Sequence, residues 1–314
     1  MIDYKVSAQT QSYVKVDSIM RRYAEKIKSG DELYKVVYFI RNTFNADSIR
    51  LRASFIWITE NIRYDIEGFE KEDPRSSMLN YVVKNKKAVC GGYAALLKFF
   101  CDAFNLESEI IYGIARTGKK AVNISQYSLR SNHAWNAVKI NNNWRLIDPT
   151  WAAGSVDDTD EENLKFYKDY KEIYYFTTPE RLIFNHFPDQ YKYQYLAKSI
   201  SKEKFKNWPL FTTAFISDTI REVYPETSVI KTKVGDTILF KFKTNFTPVR
   251  MYIKGLNFEK ADFSGPPQRN GDWLEFKYPI KLNGNYTVYL GCQTSLFALP
   301  ALLAYKLEVT NISN

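Results

Sequence analysis

Apolar residues recur at helical spacing through the first hundred residues of the chain. Positions that fall on one helix face predict helices over 17–28 and 31–44, a third that begins after Asp47 and runs to Ile62, and a short one at 78–83. A strongly apolar stretch then follows two glycines, and it predicts a buried helix over 93–104. This part of the chain is therefore predicted to be mainly helical.

The pattern changes after Asn105. Alternating runs predict strands over 109–115, 133–140 and 144–150, and the run Asn141-Asn142-Asn143 is typical of a hairpin turn between the last two. The segment 161–196 is aromatic and charged, and it is predicted to be helical.

Beyond Asp218 the helical patterns end. Short runs of apolar and polar residues, separated by turns such as Asn270-Gly271-Asp272, predict an all-β sandwich. The predicted strands are 229–234, 237–243, 250–254, 273–278, 286–293 and one near 305–309.

Composition limits the class of protein. The chain has 314 residues, of which 45% are hydrophobic and 25% charged, the balance of a globular protein large enough for two domains. No apolar run reaches the roughly 18 residues of a membrane-spanning helix, so an integral membrane segment is not expected. The net charge of +9 is spread along the chain, and its densest cluster, Lys84, Lys86 and Lys87, has no nucleic-acid-binding motif beside it. Nucleic acid is therefore not expected as a partner.

Three cysteines are available for chemistry. Cys90 lies just before Gly91-Gly92, at the predicted start of the apolar helix, where free backbone N–H groups and the helix dipole stabilise a thiolate. The glycines would let a substrate approach, and the Cys90 amide could bind an oxyanion. Cys101 and Cys292 are interpreted as small buried apolar residues.

A reactive thiol needs a base, and the chain has two histidines. If the asparagine turn has two residues, position 135 faces 148, and His133 and Asp148 lie on one face as diagonal neighbours. A three-residue turn would turn Asp148 away. In the favourable register Cys90 attacks, His133 moves the proton and Asp148 orients the imidazole. His186 is interpreted as a structural histidine.

Four sequence blocks now resemble the transglutaminase-like superfamily. They occur in the family's order over about residues 50–155 and read Trp57-Ile58-Thr59-Glu60-Asn61-Ile62-Arg63-Tyr64-Asp65, Val89-Cys90-Gly91-Gly92-Tyr93-Ala94, Asn132-His133-Ala134-Trp135-Asn136 and Leu146-Ile147-Asp148-Pro149-Thr150-Trp151. Downstream, Tyr175-Phe176-Thr177-Thr178-Pro179 and Asn185-His186-Phe187-Pro188-Asp189 are similar to an extension in kyphoscoliosis-peptidase-like members.

The resemblance implies an α+β fold with a papain-like core and a Cys-His-Asp triad, carried over to Cys90, His133 and Asp148. Papain-type enzymes have an oxyanion-binding Gln shortly before the nucleophile, whereas 84–89 contains none. Gly91, Tyr64 and Trp135 are therefore candidates for the oxyanion site or cleft wall. The expected domains are an N-terminal helical segment (1–50), the transglutaminase-like catalytic core (51–155), a helical, aromatic-rich extension (156–217) and a β-sandwich (218–314).

The expected function is that of a thiol enzyme that forms an acyl-enzyme at Cys90. A cysteine peptidase with a protein or peptide substrate is favoured. Three alternatives stay open: a protein-glutamine transglutaminase, an amidase or acyltransferase on a small molecule, and a binding scaffold that retains the triad.

No metal or cofactor is expected, because the acidic run 157–162 lacks the spacing of a Ca²⁺ loop and is interpreted as a solvated helix cap. The run Val6-Ser7-Ala8 is similar to the end of a secretory signal without its apolar region, which leaves export and a cytoplasmic location equally open. The oligomeric state is left open as well.

Overall fold

The computed structural model of the chain describes residues 8–24, 32–116, 130–157, 163–212, 222–244, 248, 250–255, 263–293 and 302–311. The chain divides into two compact units. The first unit consists of 1–113 and 132–178, and the second consists of 114–131 and 179–314. The domain boundaries expected at 50, 155 and 217 stay a prediction. The acidic residues 158–162 and the signal-like pair Val6-Ser7 lie outside the described residues.

The helices of the first unit surround a central one. They are α1 (Ala8–Ala24), α2 (Glu32–Thr43), α3 (Asp47–Asn61), α4 (Ile66–Glu70), α5 (Leu79–Asn85), α6 (Cys90–Ala103) and α7 (Pro149–Ala153). Helix α3 is buried from Leu51 to Thr59 and packs against α1, α6 and α7. The predicted helices over 31–44, 48–62 and 78–83 are confirmed to within a few residues, and the helix predicted over 93–104 begins at Cys90. Helix α1 begins well before Asp17, whose carboxylate bonds Arg52 instead of capping the helix.

The sheet of the first unit holds the hairpin. Its strands have the order β8-β5-β4-β3. Two separate two-stranded sheets, β1 with β2 and β6 with β7, lie in the same unit. Their bounds are β1 (Arg63–Tyr64), β2 (Lys87–Ala88), β3 (Ser108–Ala115), β4 (His133–Ile140), β5 (Asn143–Ile147), β6 (Gly154–Asp157), β7 (Lys165–Lys168) and β8 (Tyr175–Thr177). Between β4 and β5, Asn141 and Asn142 have φ of 51° and 62°, the left-handed pair that a two-residue hairpin turn requires.

The second unit is a β-sandwich with short elements before it. The elements are α8 (Pro179–Leu182), β9 (His186–Pro188), α9 (Lys202–Asn207), β10 (Leu210–Phe211), β11 (Glu222–Tyr224), β12 (Val229–Lys233), β13 (Thr237–Lys243), β14 (Arg250–Gly255), β15 (Phe263–Gly265), β16 (Gln268–Asn270), β17 (Trp273–Pro279), β18 (Gly284–Gln293) and β19 (Leu303–Thr310). One sheet has the order β10-β19-β18-β14-β15, with β12 parallel to β19, and the other has the order β11-β13-β17-β16. Strand β13 alternates buried and half-buried residues, and its Phe240 shares one core with Leu290 and Leu307 of the other sheet. The predicted α+β fold with a carboxy-terminal sandwich is confirmed.

The helical prediction for 161–196 is wrong. In the described part of that range the chain forms β7, β8 and β9, the four-residue helix α8 and two 3-10 turns at 172–174 and 191–194. Pro179 and Pro188 interrupt any long helix. The aromatic residues pack sideways instead: the Phe187 ring centroid lies 5.2 Å from that of Phe205 and 5.7 Å from that of Tyr191.

None of the helices in the described ranges combines the length and the apolar character that crossing a membrane requires.

Candidate active site

Cys90 is the first residue of α6 and is half-buried. The preceding residue, Val89, has extended backbone and donates its N–H to the Ser76 carbonyl at 3.1 Å. The first N–H groups of a helix have no partner within the helix, so the start of α6 gives the sulfur a partly positive environment.

Two glycines let this helix start pack tightly. A β-carbon at Gly92 would lie 2.5 Å from the Ser76 carbonyl oxygen and 2.9 Å from the Ala88 β-carbon. A β-carbon at Gly91 would lie 2.7 Å from Ser77 Oγ. Close packing against the 3-10 turn at 74–77 therefore explains the glycine at 92. Gly91, the oxyanion candidate, is half-buried beside the thiol.

The second part of the site lies on the β4–β5 hairpin. His133 begins β4, is 7% exposed, and its Nε2 lies 2.8 Å from Asp148 Oδ2. Asn136 pairs with Ile147 and Ile140 with Asn143, so the two-residue turn and the register that it predicts are confirmed. The hairpin thus brings the predicted base and acid together.

Asp148 holds its position through the cap of α7. Its Oδ1 accepts the backbone N–H groups of Thr150 at 2.9 Å and Trp151 at 3.0 Å, and Pro149 occupies the first helical position. Because Oδ1 accepts these two N–H groups of α7, Oδ2 is the oxygen that contacts the His133 imidazole. The sequence Asp148-Pro149-Thr150-Trp151 is thus a helix start whose cap orients His133.

The structure also brings the thiol to the imidazole. The His133 side chain and the backbone of Ala134 lie near enough to the Cys90 thiol to lower its pKa. Burial raises the pKa of the Cys90 thiol, but these two groups and the His133 charge outweigh burial, so the pKa lies below its ordinary 9.0. Burial lowers the pKa of His133, but Asp148 and Cys90 raise it to about 10. The pair therefore favours thiolate and imidazolium over thiol and imidazole.

The other two cysteines are buried away from solvent and substrate. Cys101 is 1% exposed, and burial raises the pKa of its thiol to about 12, although the nearby Ser108 side chain lowers it. Cys292 is fully buried in the core of the second unit. Both match their interpretation as small apolar residues.

Aromatic side chains surround the pair. The Trp135 ring centroid lies 6.0 Å from that of His133, with the planes 24° apart, and Trp135 is almost fully buried, so it supports the imidazole from within. Trp151 is half-buried, and its ring centroid lies 5.5 Å from that of the His133 imidazole. Tyr64 is also half-buried; burial raises the pKa of its phenol and the nearby Cys90 charge raises it further. Among the cleft candidates, Tyr64 is therefore the residue whose pKa responds to the charge of the Cys90 thiolate.

His186 lies in the second unit. It is buried, and its Nδ1 lies 2.6 Å from the Asn185 side-chain oxygen. The interpretation of His186 as a structural residue stays a prediction.

One cluster beside the nucleophile was missed from the sequence. Asp65 is buried and bonded to the side chains of Ser76, Tyr81 and Lys87. No periodicity links positions 65, 76, 81 and 87, so the pattern of the sequence does not predict the cluster. The one sequence feature that pointed to Asp65 was its place at the end of the block 57–65, which resembles the superfamily.

Comparison with known proteins gives the family of this part of the chain. Residues 21–149 match the family model of the transglutaminase-like superfamily. The chain belongs to that superfamily through this segment.

Curated relatives extend the similarity of this transglutaminase-like chain beyond the segment. It is 32% identical over 209 residues to the kyphoscoliosis peptidase of Mus musculus, with 67% of this chain and 31% of the relative covered. With the kyphoscoliosis peptidase of Homo sapiens it is 30% identical over 230 residues, which cover 73% of this chain and 34% of the relative. The chain thus spans about a third of the length of these relatives. A crystal structure of a TGase aligns with a TM-score of 0.29 and 17% identity over 47% of this chain and 34% of its own.

Proposed function

We propose that the transglutaminase-like segment is a thiol enzyme that acts on amide carbonyls, as a cysteine peptidase with Cys90 as nucleophile. The observation that carries the proposal is the His133–Asp148 contact at 2.8 Å, with Cys90 near enough to His133 for the imidazole to lower the pKa of the thiol. Cys90 and His133 have pKa shifts of opposite sign, the combination that an attacking thiolate and a proton-donating imidazolium require.

Acylation follows from these protonation states. The Cys90 thiolate attacks the carbonyl carbon of a peptide bond and forms a tetrahedral oxyanion. As the C–N bond breaks, the His133 imidazolium gives its proton to the leaving amine, and a thioester on Cys90 remains. Asp148 keeps the imidazole oriented and stabilises its charged form.

Deacylation uses the same residues in reverse. The neutral His133 takes a proton from water, the hydroxide attacks the thioester carbonyl, and the C–S bond breaks to release a carboxylic acid. The thiolate and the imidazolium are regenerated, so protons balance over the cycle.

The oxyanion needs donors near the sulfur. The backbone N–H of Cys90 at the start of α6 is one candidate, since such groups have no partner within the helix. We propose the Tyr64 hydroxyl as the second donor, because Tyr64 lies within the electrostatic reach of Cys90 and its raised pKa keeps it protonated. It would take the place of the Gln found in papain-type enzymes.

Hydrolysis is favoured over transfer to an amine. Both mammalian relatives described above bear the name peptidase, which supports a protein or peptide as substrate for this chain.

The test is an incubation of the whole chain with a peptide library derived from denatured proteins and with dansylcadaverine. New amino termini, formed by the wild type and by Cys101→Ala but not by Cys90→Ala, are the expected result. Dansylcadaverine incorporated at glutamines without new termini would contradict hydrolysis and establish acyl transfer instead. Neither product, together with no labelling of Cys90 below pH 8, would contradict both and leave a binding scaffold.

A further inference from the structure

Asp65 occupies a place from which it can influence Cys90 without touching it. It follows β1, which pairs in parallel with β2 so that Tyr64 faces Ala88. The Asp65 N–H donates to the Ala88 carbonyl at 2.9 Å, and Ala88 is two residues before the nucleophile. The backbone of Asp65 is therefore tied to the strand that leads into Cys90.

Its carboxylate binds partners from four directions. Asp65 is 1% exposed and accepts hydrogen bonds from Ser76 Oγ at 2.6 Å, Gly68 N at 3.1 Å and the Tyr81 hydroxyl at 3.2 Å, while Lys87 Nζ lies 3.0 Å away. One buried carboxylate thus joins the start of α4, the 3-10 turn at 74–77, α5 and β2. Such a fully satisfied buried group holds its neighbours in one arrangement.

Two of these partners continue directly to the nucleophile. The Ser76 carbonyl accepts the N–H of Val89, the residue before Cys90. Lys87 belongs to β2 and precedes Cys90 by three residues. Ser76 is also the residue against which Gly92 packs, so the first turn of α6 rests on the group that Asp65 holds.

The charges around Asp65 keep it ionised. Burial raises the pKa of its carboxyl, but the bonds from Ser76, Lys87 and Gly68 outweigh burial and hold the pKa below its ordinary value. Glu67 shares Lys87 at 3.4 Å, and the Lys87 ammonium also lies 5.9 Å from the Tyr81 ring centroid. The cluster therefore keeps its arrangement over the pH range in which the thiol works.

We propose that Asp65 is a positioning residue for the nucleophile: through Ser76 and Lys87 it fixes the segment 87–91 at the distance from His133 at which Cys90 stays a thiolate. This inference rests on the proposed function. When the cluster is loosened, the helix start gains freedom, Cys90 spends less time beside His133, and the thiol pKa rises toward its ordinary value.

The test compares Asp65→Asn with Asp17→Asn by iodoacetamide labelling of Cys90 between pH 4 and 9, read by mass spectrometry below the unfolding transition of each variant. Asn fits the space of Asp65 and keeps an acceptor for Gly68 but removes the charge that Lys87 binds. Asp17 is the matched control, because it is 9% exposed and binds a buried cation, Arg52, at 2.7 and 2.8 Å between α1 and α3.

Both variants are expected to unfold at a lower temperature than the wild type. At pH 6, Asp65→Asn is expected to label about tenfold more slowly than the wild type, as one unit of thiol pKa requires. Asp17→Asn is expected to stay within about twofold. Equal labelling of the two variants would overturn the positioning role and leave the proposed function intact.

If Asp65→Asn does not fold, Ser76→Ala decides the question, because it removes a single bond of the cluster and should slow labelling in the same direction by about threefold. Unchanged labelling in Ser76→Ala would then overturn the proposal. A wild type that labels only near pH 8.5 would instead overturn the proposed function together with this inference.

Discussion

Helix α6 carries a cysteine near each end, and the two thiols have opposite properties. Cys90 begins the helix, and Cys101 lies three turns later, about 16 Å along the axis. Burial raises the pKa of both thiols. Only at Cys90 do an imidazole and a backbone group outweigh burial, whereas at Cys101 the nearby Ser108 side chain does not, and the pKa is about 12.

The comparison separates what the helix supplies from what the hairpin supplies. The helix start provides the first position and a partial positive charge, but a buried thiol there still needs an adjacent cation to ionise. That cation is His133, and its charge depends on Asp148 and therefore on the β4–β5 register and the α7 cap. Reactivity at Cys90 is thus a property of two elements together.

Removal of the imidazole should make Cys90 resemble Cys101. In His133→Ala, burial of the thiol is no longer offset, so we expect iodoacetamide labelling of Cys90 at pH 6 to fall by about a hundredfold or more. The labelling of Cys101 in the same molecules, measured by mass spectrometry, is the internal control. Equal rates at Cys90 in the variant and the wild type would show that the imidazole does not ionise the thiol.

A smaller effect is expected when only the charge of the acid is removed. Asp148→Asn keeps an oxygen for the Thr150 and Trp151 N–H groups, so α7 should remain capped. The pKa of His133 should fall from about 10 toward 6.5, and labelling of Cys90 at pH 6 should slow by about tenfold. The imidazole signals in a proton NMR titration give the pKa directly, and an unchanged value in the variant would contradict the role of Asp148.

The pH dependence of stability sharpens the comparison further. His133 has a raised pKa, so its contribution to stability is complete below pH 6.5 and is lost as pH rises to about 10. Cys90 has a lowered pKa, so its contribution is complete above pH 9.0 and is lost as pH falls through the lowered value. Below pH 9.0, where both groups change their contribution, the fall in stability from His133 and the rise from Cys90 cancel. Between pH 9.0 and about 10 only the fall from His133 remains.

We therefore expect the wild type to lose stability relative to the double variant Cys90→Ala/His133→Ala, which lacks both groups, between pH 9.0 and about 10. Urea unfolding of both proteins at pH 8, 9 and 10 measures the difference, and the variant cancels the contributions of all other titrating groups. A constant difference over this range would mean that the pKa of His133 is not raised in the folded protein.

The smallest effect is expected at the other end of α6. Cys101→Ala removes a buried sulfur and should cost about 1 kcal/mol of unfolding free energy, since a small cavity remains. Labelling of Cys90 should stay within about twofold of the wild type. Urea unfolding gives the first value and mass spectrometry the second. A large loss of Cys90 labelling would show that the two ends of the helix are coupled.

Local chemistry explains how far the sequence could predict this site. Asn141 and Asn142 tolerate left-handed backbone, so the two-residue turn and the alignment of His133 with Asp148 could be read from the chain. The strands 237–243 and 273–279 could be found because their alternation is regular and their turns are marked by glycine.

Long-range contacts explain what the sequence could not predict. Asp65 takes its four partners from positions 68, 76, 81 and 87, and such a cluster has no period along the chain. Asp17 resembles a helix cap locally but is held by Arg52 from another helix. In 161–196 the aromatic residues were compatible with a helix, and tertiary ring contacts, with Pro179 and Pro188, decided for strands and turns.

The measurement that tests the thiolate–imidazolium pair most directly is the rate of iodoacetamide labelling of Cys90 and Cys101 in the same wild-type molecules from pH 4 to 9. We expect Cys90 to react rapidly well below pH 8 and Cys101 to remain unlabelled until the chain unfolds. Labelling of Cys90 that rises only near pH 8.5, like that of an ordinary exposed thiol, would contradict the ion pair and with it the proposed enzyme.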